Sequence, residues 1–178
     1  MNAWGWILRR MGWTYRQNIA LPDKCVIAIA PHTSNVDFLM GEIATRSVGI
    51  KASFLMKKTW FFFPLGYLMR ALGGIPVDRS SHAGVTQSVV HAFETHARLA
   101  VGVTPEGTRR ANAHWHKGCL YMAKGAGVPL LLAYIDYGTR TVCIDREFDI
   151  SDDPDADIAR MKAYFRPITP RHPSQFLP

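Results

Sequence analysis

The segment Pro31-His32-Thr33-Ser34-Asn35-Val36-Asp37-Phe38 sets an imidazole and a carboxylate five residues apart. Histidine suits general-base work because its pKa lies near working pH. A hydroxyl that attacks a thioester must lose its proton as it attacks, and His32 can take it. A carboxylate on the far ring nitrogen fixes the tautomer and stabilises the imidazolium, which is the part read for Asp37. By itself a His-x4-Asp spacing is a weak signal, equally suited to a capping interaction in a loop.

Two further segments supply groups for an anionic substrate. Thr104-Pro105-Glu106-Gly107-Thr108-Arg109-Arg110 follows the apolar run Leu99–Val103. Gly107 lets the backbone approach a ligand closely, and the Arg109 guanidinium suits bidentate phosphate binding. Glu106 can hold a glycerol hydroxyl or orient Arg109; a charged surface turn with an internal Glu–Arg pair uses the same residues. Gly73-Gly74-Ile75-Pro76-Val77-Asp78-Arg79 ends another apolar run with an arginine. Arg79 and Arg109 at strand ends, with His32 at a third, would converge on one edge of a parallel sheet.

The elements that must position these groups can be read from hydropathy. Residues 3–16, within an N-terminal segment 1–20, pattern as an amphipathic helix: Trp4, Ile7, Leu8, Met11 and Tyr15 share a face. Its tryptophans and arginines fit a helix at a membrane interface or a terminal helix packed on the core. Lys24 to Ala30 is a short continuous apolar run, the pattern of a strand buried on both faces. Residues 35–47 read as a helix capped by Ser34 or Asn35. So His32 falls just past a strand end and Asp37 in a helix's first turn. Further strands are expected at 51–56, 75–77, 99–103, 128–135 and 141–144, the last antiparallel across the Asp136–Arg140 turn. Further helices are expected at 59–71, interrupted at Pro64, and at 82–98, 117–126 and 155–164. The Pro-rich stretch to Pro178, counted from 165, reads as an extended surface tail. Strands alternating with helices predict one α/β domain over 1–178, with a mainly parallel sheet flanked by helices.

Composition narrows the partners. Of 178 residues 48% are hydrophobic and 20% charged, a globular balance that argues against disorder. The net charge of +7 favours an anionic partner, but the basic residues are scattered and form no nucleic-acid tail. Cys25, Cys119 and Cys143 are far apart in apolar contexts, as expected of buried free thiols in a reducing compartment. His114-Trp115-His116 lacks a third ligand nearby, so no metal is expected. The start shows no signal-peptide pattern, and Trp60 to Val77 is too interrupted to span a membrane. Trp60-Phe61-Phe62-Phe63-Pro64 fits an acyl-chain pocket wall, a membrane-inserting patch or plain core.

Together these blocks resemble the glycerolipid acyltransferase family that includes bacterial 1-acyl-sn-glycerol-3-phosphate acyltransferases. The resemblance rests on His32 to Asp37, Gly73 to Arg79, Pro105 to Arg109 and Val128-Pro129-Leu130, in matching order across residues 25–135. It departs from the family at Thr104, where an aromatic is common before Pro-Glu-Gly. The resemblance implies acyl transfer from acyl-CoA or acyl carrier protein to a lysophospholipid hydroxyl, with no other cofactor. It makes His32 the base and Asp37 its orienter. Arg79, Glu106, Gly107, Thr108 and Arg109 would hold the phosphate-bearing acceptor. Lys117 resembles a position near the acceptor or phosphopantetheine path, and equally a lysine at a helix start. The expected setting is cytoplasmic, peripheral on the inner face of the cell membrane, against an anionic surface and without nucleic acid. Two other readings stand beside it: a lyso-ornithine or other non-phosphate lipid acceptor, and a non-catalytic lipid-binding module.

Overall fold

A computed structural model describes residues 2–77 and 82–178. It is a seven-stranded sheet with helices on both faces. The strands are β1 (Thr14–Gln17), β2 (Lys24–Ile29), β3 (Ala52–Lys57), β4 (Gly74–Val77), β5 (Leu99–Val103), β6 (Leu130–Asp136) and β7 (Thr141–Phe148). The helices are α1 (Ala3–Arg10), α2 (Asn35–Ser47), α3 (Leu65–Ala71), α4 (His82–Thr95), α5 (Gly118–Ala126) and α6 (Pro154–Phe165). Strand order is β1-β7-β6-β2-β5-β3-β4, parallel throughout except for the antiparallel β6–β7 pair. The α/β domain with a mainly parallel sheet is therefore as the hydropathy predicted.

The central strands are β6, β2 and β5, and their side chains feed two cores. Val26, Ala28, Val101, Leu130 and Leu132 point to one face, under α4, α5 and α6. Cys25, Ile27, Ala100, Leu131 and Ala133 point to the other. There α1 and α2 pack together, burying Leu8, Met40, Ile43 and Ala44. A strand buried on both faces must be apolar at every position, which is why Lys24 to Ala30 shows no alternation. All three cysteines are buried and unpaired.

Helix ends obey local chemistry. Ser34 caps α2, and Asp37 completes a capping box by accepting from the Ser34 backbone. Gly127, at φ +61°, closes α5 in the left-handed conformation. Asp153 caps α6 ahead of Pro154 at its first turn.

Two expectations fail. The helix expected over 3–16 ends at Arg10: Gly12 turns the chain at φ +73°, and Thr14–Gln17 pairs with β7 as an edge strand. Edge pairing overrides a helical pattern once a left-handed glycine has stopped the helix. The expected face is buried only in part: Leu8 is buried with Ile7 and Tyr15 packed beside it, while Trp4 and Met11 are exposed. The tail is not a free surface segment either. Pro173–Gln175 forms a 3-10 turn, Phe176 is buried beside Trp115, and the Trp115 indole donates to the Leu177 carbonyl. A proline-rich sequence suppresses helix but does not prevent a buried aromatic anchor.

Candidate active site

Strands β2, β5 and β6 run parallel side by side, so their C-terminal ends and the loops leaving them share one sheet edge. His32 lies just past β2, Glu106 just past β5 and Tyr137 just past β6. The edge thus collects an imidazole, two carboxylates and a phenol from three well-separated parts of the sequence.

His32 Nδ1 lies 3.5 Å from Asp37 Oδ2. The imidazole is partly exposed, and the Asp37 side chain is buried at 2% exposure. With Nδ1 turned to the carboxylate, Nε2 lies on the opposite side of the ring. Asp37 Oδ2 also accepts the backbone N–H groups of Thr33 at 2.7 Å and Ser34 at 2.8 Å. Its Oδ1 accepts the Tyr137 hydroxyl at 2.6 Å. Burial works against ionisation here, but the hydrogen bonds from His32, Tyr137, Ser34 and Thr33 outweigh it and hold the carboxyl below its usual range. The Tyr137 phenol is pushed upward by burial and by that carboxylate.

The capping box explains the five-residue spacing. Asp37 is placed by its bond to the Ser34 backbone, and that same oxygen faces His32. One carboxylate thus both closes the helix start and holds the imidazole.

Glu106 is buried, and its carboxylate accepts the backbone N–H of His32 at 2.7 Å. This differs from the expected pairing with Arg109. Burial, with repulsion from Asp37, pushes the Glu106 carboxyl up to about 7, although the His32 N–H works the other way. Gly107 adopts φ +66°, and a Cβ there would lie 2.3 Å from the His116 ring. The glycine is therefore required by contact inside the protein. Thr108 Oγ1 accepts the Arg110 N–H, a local turn bond. Arg109 is exposed, and its guanidinium donates to the Asn35 side chain at the start of α2. That contact brings the Arg109 loop beside the His32 loop.

Lys117 is not brought to this cluster. It precedes α5, pairs with Asp155 at 2.7 Å, and lines a cleft of about 950 Å³ between α4, α5 and α6. Arg79 lies outside the described residues. N–H groups at a helix start can serve as oxyanion donors, but most of those at the start of α2 are engaged internally. Those of Thr33 and Ser34 go to Asp37, that of Val36 goes to Ser34 Oγ and that of Asp37 to the Ser34 carbonyl. Among the described residues, Asn35 alone in this stretch has an N–H without a protein acceptor.

Sequence reasoning missed three participants. Tyr137 had a signal, since it sits just past a strand parallel to β2. Arg171, whose guanidinium lies 6.0 Å from the Tyr137 ring centre, had none within the proline-rich tail. Gln175, with its amide nitrogen turned inward, donates to the carbonyls of Thr33 and Arg109 at 2.9 and 2.6 Å, tying the two motif loops together.

This arrangement has the geometry of a general base with an oriented, buried carboxylate behind it. The sequence also matches the acyltransferase family model over residues 4–135. The chain belongs to the acyltransferase family. Its fold is that of a glycerolipid acyltransferase and the protein is an acyltransferase enzyme. Among solved structures it is similar to the 1-acyl-sn-glycerophosphate acyltransferase PlsC of Thermotoga maritima. Identity is 17% and the TM-score 0.62, covering 92% of this chain and 75% of that one. A search of curated proteins found no match. Among the described residues no helix is long and apolar enough to cross a membrane.

Proposed function

We propose that this acyltransferase moves a fatty acyl group from acyl-CoA or acyl carrier protein to the hydroxyl of a lysophospholipid such as 1-acylglycerol-3-phosphate. The observation that carries the reading is His32 Nδ1 on the buried, ionised Asp37, which leaves Nε2 for substrate. The likeness in fold to a 1-acyl-sn-glycerophosphate acyltransferase supports that choice of acceptor.

In the proposed reaction His32 Nε2 takes the acceptor's hydroxyl proton as the oxygen attacks the thioester carbonyl carbon. The imidazolium formed is stabilised by Asp37. The tetrahedral oxyanion takes the Asn35 N–H, at the positive end of α2. Collapse breaks the C–S bond, and the departing sulfur takes the proton from His32. No covalent enzyme intermediate and no metal is required. Arg109, with Arg171 and Arg79, supplies positive charge for the acceptor phosphate. The proposed setting is peripheral, on the inner face of the cell membrane.

Lipid mass spectrometry of cells overexpressing the wild type or His32→Ala tests this, followed by purified enzyme with a lysolipid panel. Enrichment of diacylated phosphatidate with the wild type alone is the expected result. Acylation of a lyso-ornithine lipid in its place would move the assignment to a non-phosphate acceptor. Equal turnover by His32→Ala would sink the mechanism.

A further inference from the structure

We propose that the start of α2 and the β3–α3 connection together form the surface that seats this protein on an anionic bilayer, with the catalytic edge turned toward the lipid. Phe63 is 82% exposed, Tyr67 74%, Phe62 58% and Trp60 53%, joined by Leu39 and Phe38 on α2. Large aromatics in this number are not left in water without a use; exposed apolar patches mark interaction sites.

These residues share one side of the molecule. The β2–β3 and β3–β4 connections advance the same way across the sheet, so right-handed crossovers put α2 and α3 on the same face. The Phe38 and Phe54 rings meet edge-on at 4.8 Å, joining the α2 start to β3. The strand β3 is parallel to β5 and so to β2. Its C-terminal end, which leads into Lys58–Trp60 and then Phe62 and Phe63, therefore lies on the His32 edge. Phe38 itself is the neighbour of Asp37.

Charge chooses the occupant. Lys57, Lys58 and Arg70 border the aromatics and are exposed, and residues 43–77 contain no Asp or Glu. Aromatics interleaved with cations, and no acids, match the headgroup zone of an anionic leaflet. The competing surface is α1, with Trp4 and Trp6 exposed. But Asn2 bonds the Arg46 carbonyl near the far end of α2, which puts that end of α1 about 14 Å along the helix from Asp37. Trp13, the third tryptophan of that segment, is buried against Tyr137. Trp4, beneath the Arg46 guanidinium, sits at the end of α2 away from His32.

The orientation rests on the lipid-acceptor reading, whereas the binding measurement uses no turnover, so the two fail separately. The test is co-sedimentation of the full chain with vesicles of phosphatidylglycerol and phosphatidylcholine, and of phosphatidylcholine alone. Phe62→Ser/Phe63→Ser/Leu68→Gln, the last an exposed α3 residue next to Tyr67, should bind the anionic vesicles about tenfold or more weaker than wild type. It should still acylate a short-chain, monomeric lysolipid in solution, since none of the three touches His32. Lys57→Gln/Lys58→Gln should lose the preference for anionic vesicles, and Trp4→Ser/Trp6→Ser should bind as wild type. A polarity-sensitive fluorophore on Phe63→Cys should shift to the blue on adding vesicles, a readout that does not need the triple variant. Unchanged binding by the triple variant, or loss confined to Trp4→Ser/Trp6→Ser, overturns the proposal. So does a wild-type dimer in sedimentation equilibrium that the triple variant abolishes while vesicle binding persists.

Discussion

The Tyr137 hydroxyl bonds Asp37 Oδ1 at 2.6 Å, while Oδ2 of the same carboxylate takes two backbone N–H groups and faces His32. Residues 100 apart in sequence thus hold one buried charge from both sides. Each carboxylate oxygen has a separate task, and the phenol frees Oδ2 to serve the imidazole.

Removing that phenol tests its part as a positioning residue. Tyr137→Phe takes a donor from a buried carboxylate, costing about 1–3 kcal/mol of stability. Asp37's lowered pKa contributes stability that is present above the usual carboxylate pKa and lost as pH falls through the lowered value. Without Tyr137 that contribution shrinks, so the acid-unfolding midpoint moves to higher pH. We expect kcat to fall about tenfold with KM little changed. An unaltered kcat and an unaltered acid midpoint would make the contact incidental.

His32→Ala should lower kcat by about 10²–10⁴ while leaving the melting temperature near wild type. Asp37→Asn should cost activity on a similar scale and, because it also breaks the cap of α2, about 1 kcal/mol or more of stability. Paired steady-state kinetics and thermal melts separate the two behaviours.

Glu106 makes a pH prediction of opposite sign to Asp37. Its carboxyl is raised to about 7 from 4.5, so the folded state holds the proton more tightly than the unfolded chain. That contribution is full below the unfolded value and is lost as pH rises toward 7. Glu106→Gln keeps an oxygen for the His32 N–H without the charge. At about pH 8 the variant should be more stable than wild type, on the order of 1–3 kcal/mol, and about equal at about pH 4. Urea midpoints at the two pH values check this.

Gly107→Ala meets two obstacles, a left-handed backbone and a Cβ 2.3 Å from the His116 ring. It should cost about 1–3 kcal/mol and displace the Glu106–Arg109 loop, lowering activity as well as the melting temperature. A crystal structure of the variant with His116 unmoved would contradict the argument.

Phe176→Ala should cost about 3–5 kcal/mol, since the ring is buried in the core shared with Trp115 and Phe165. Gln175→Ala, half-buried at the junction of the two motif loops, should cost less stability but raise KM, by loosening Arg109 relative to His32. Truncation after Pro170 should reproduce both effects.

The sequence alone determined the class of fold and the order of its parts. Alternating apolar strands and helices require a layered α/β sheet, because each strand run is too apolar to leave either face wet. It also singled out His32, Asp37 and the Glu106–Arg109 loop, because residue types fix what chemistry is possible. What it left open is who touches whom. Glu106 supports the His32 backbone, Tyr137 braces Asp37, and the tail strap at Gln175 joins two loops. Lys117 turns instead to Asp155. Those pairings depend on strand order, since β6, β2 and β5 become neighbours only when the sheet closes, and order leaves no local pattern. Only tertiary structure decided them, because a buried carboxylate takes whichever donors the neighbouring strands deliver.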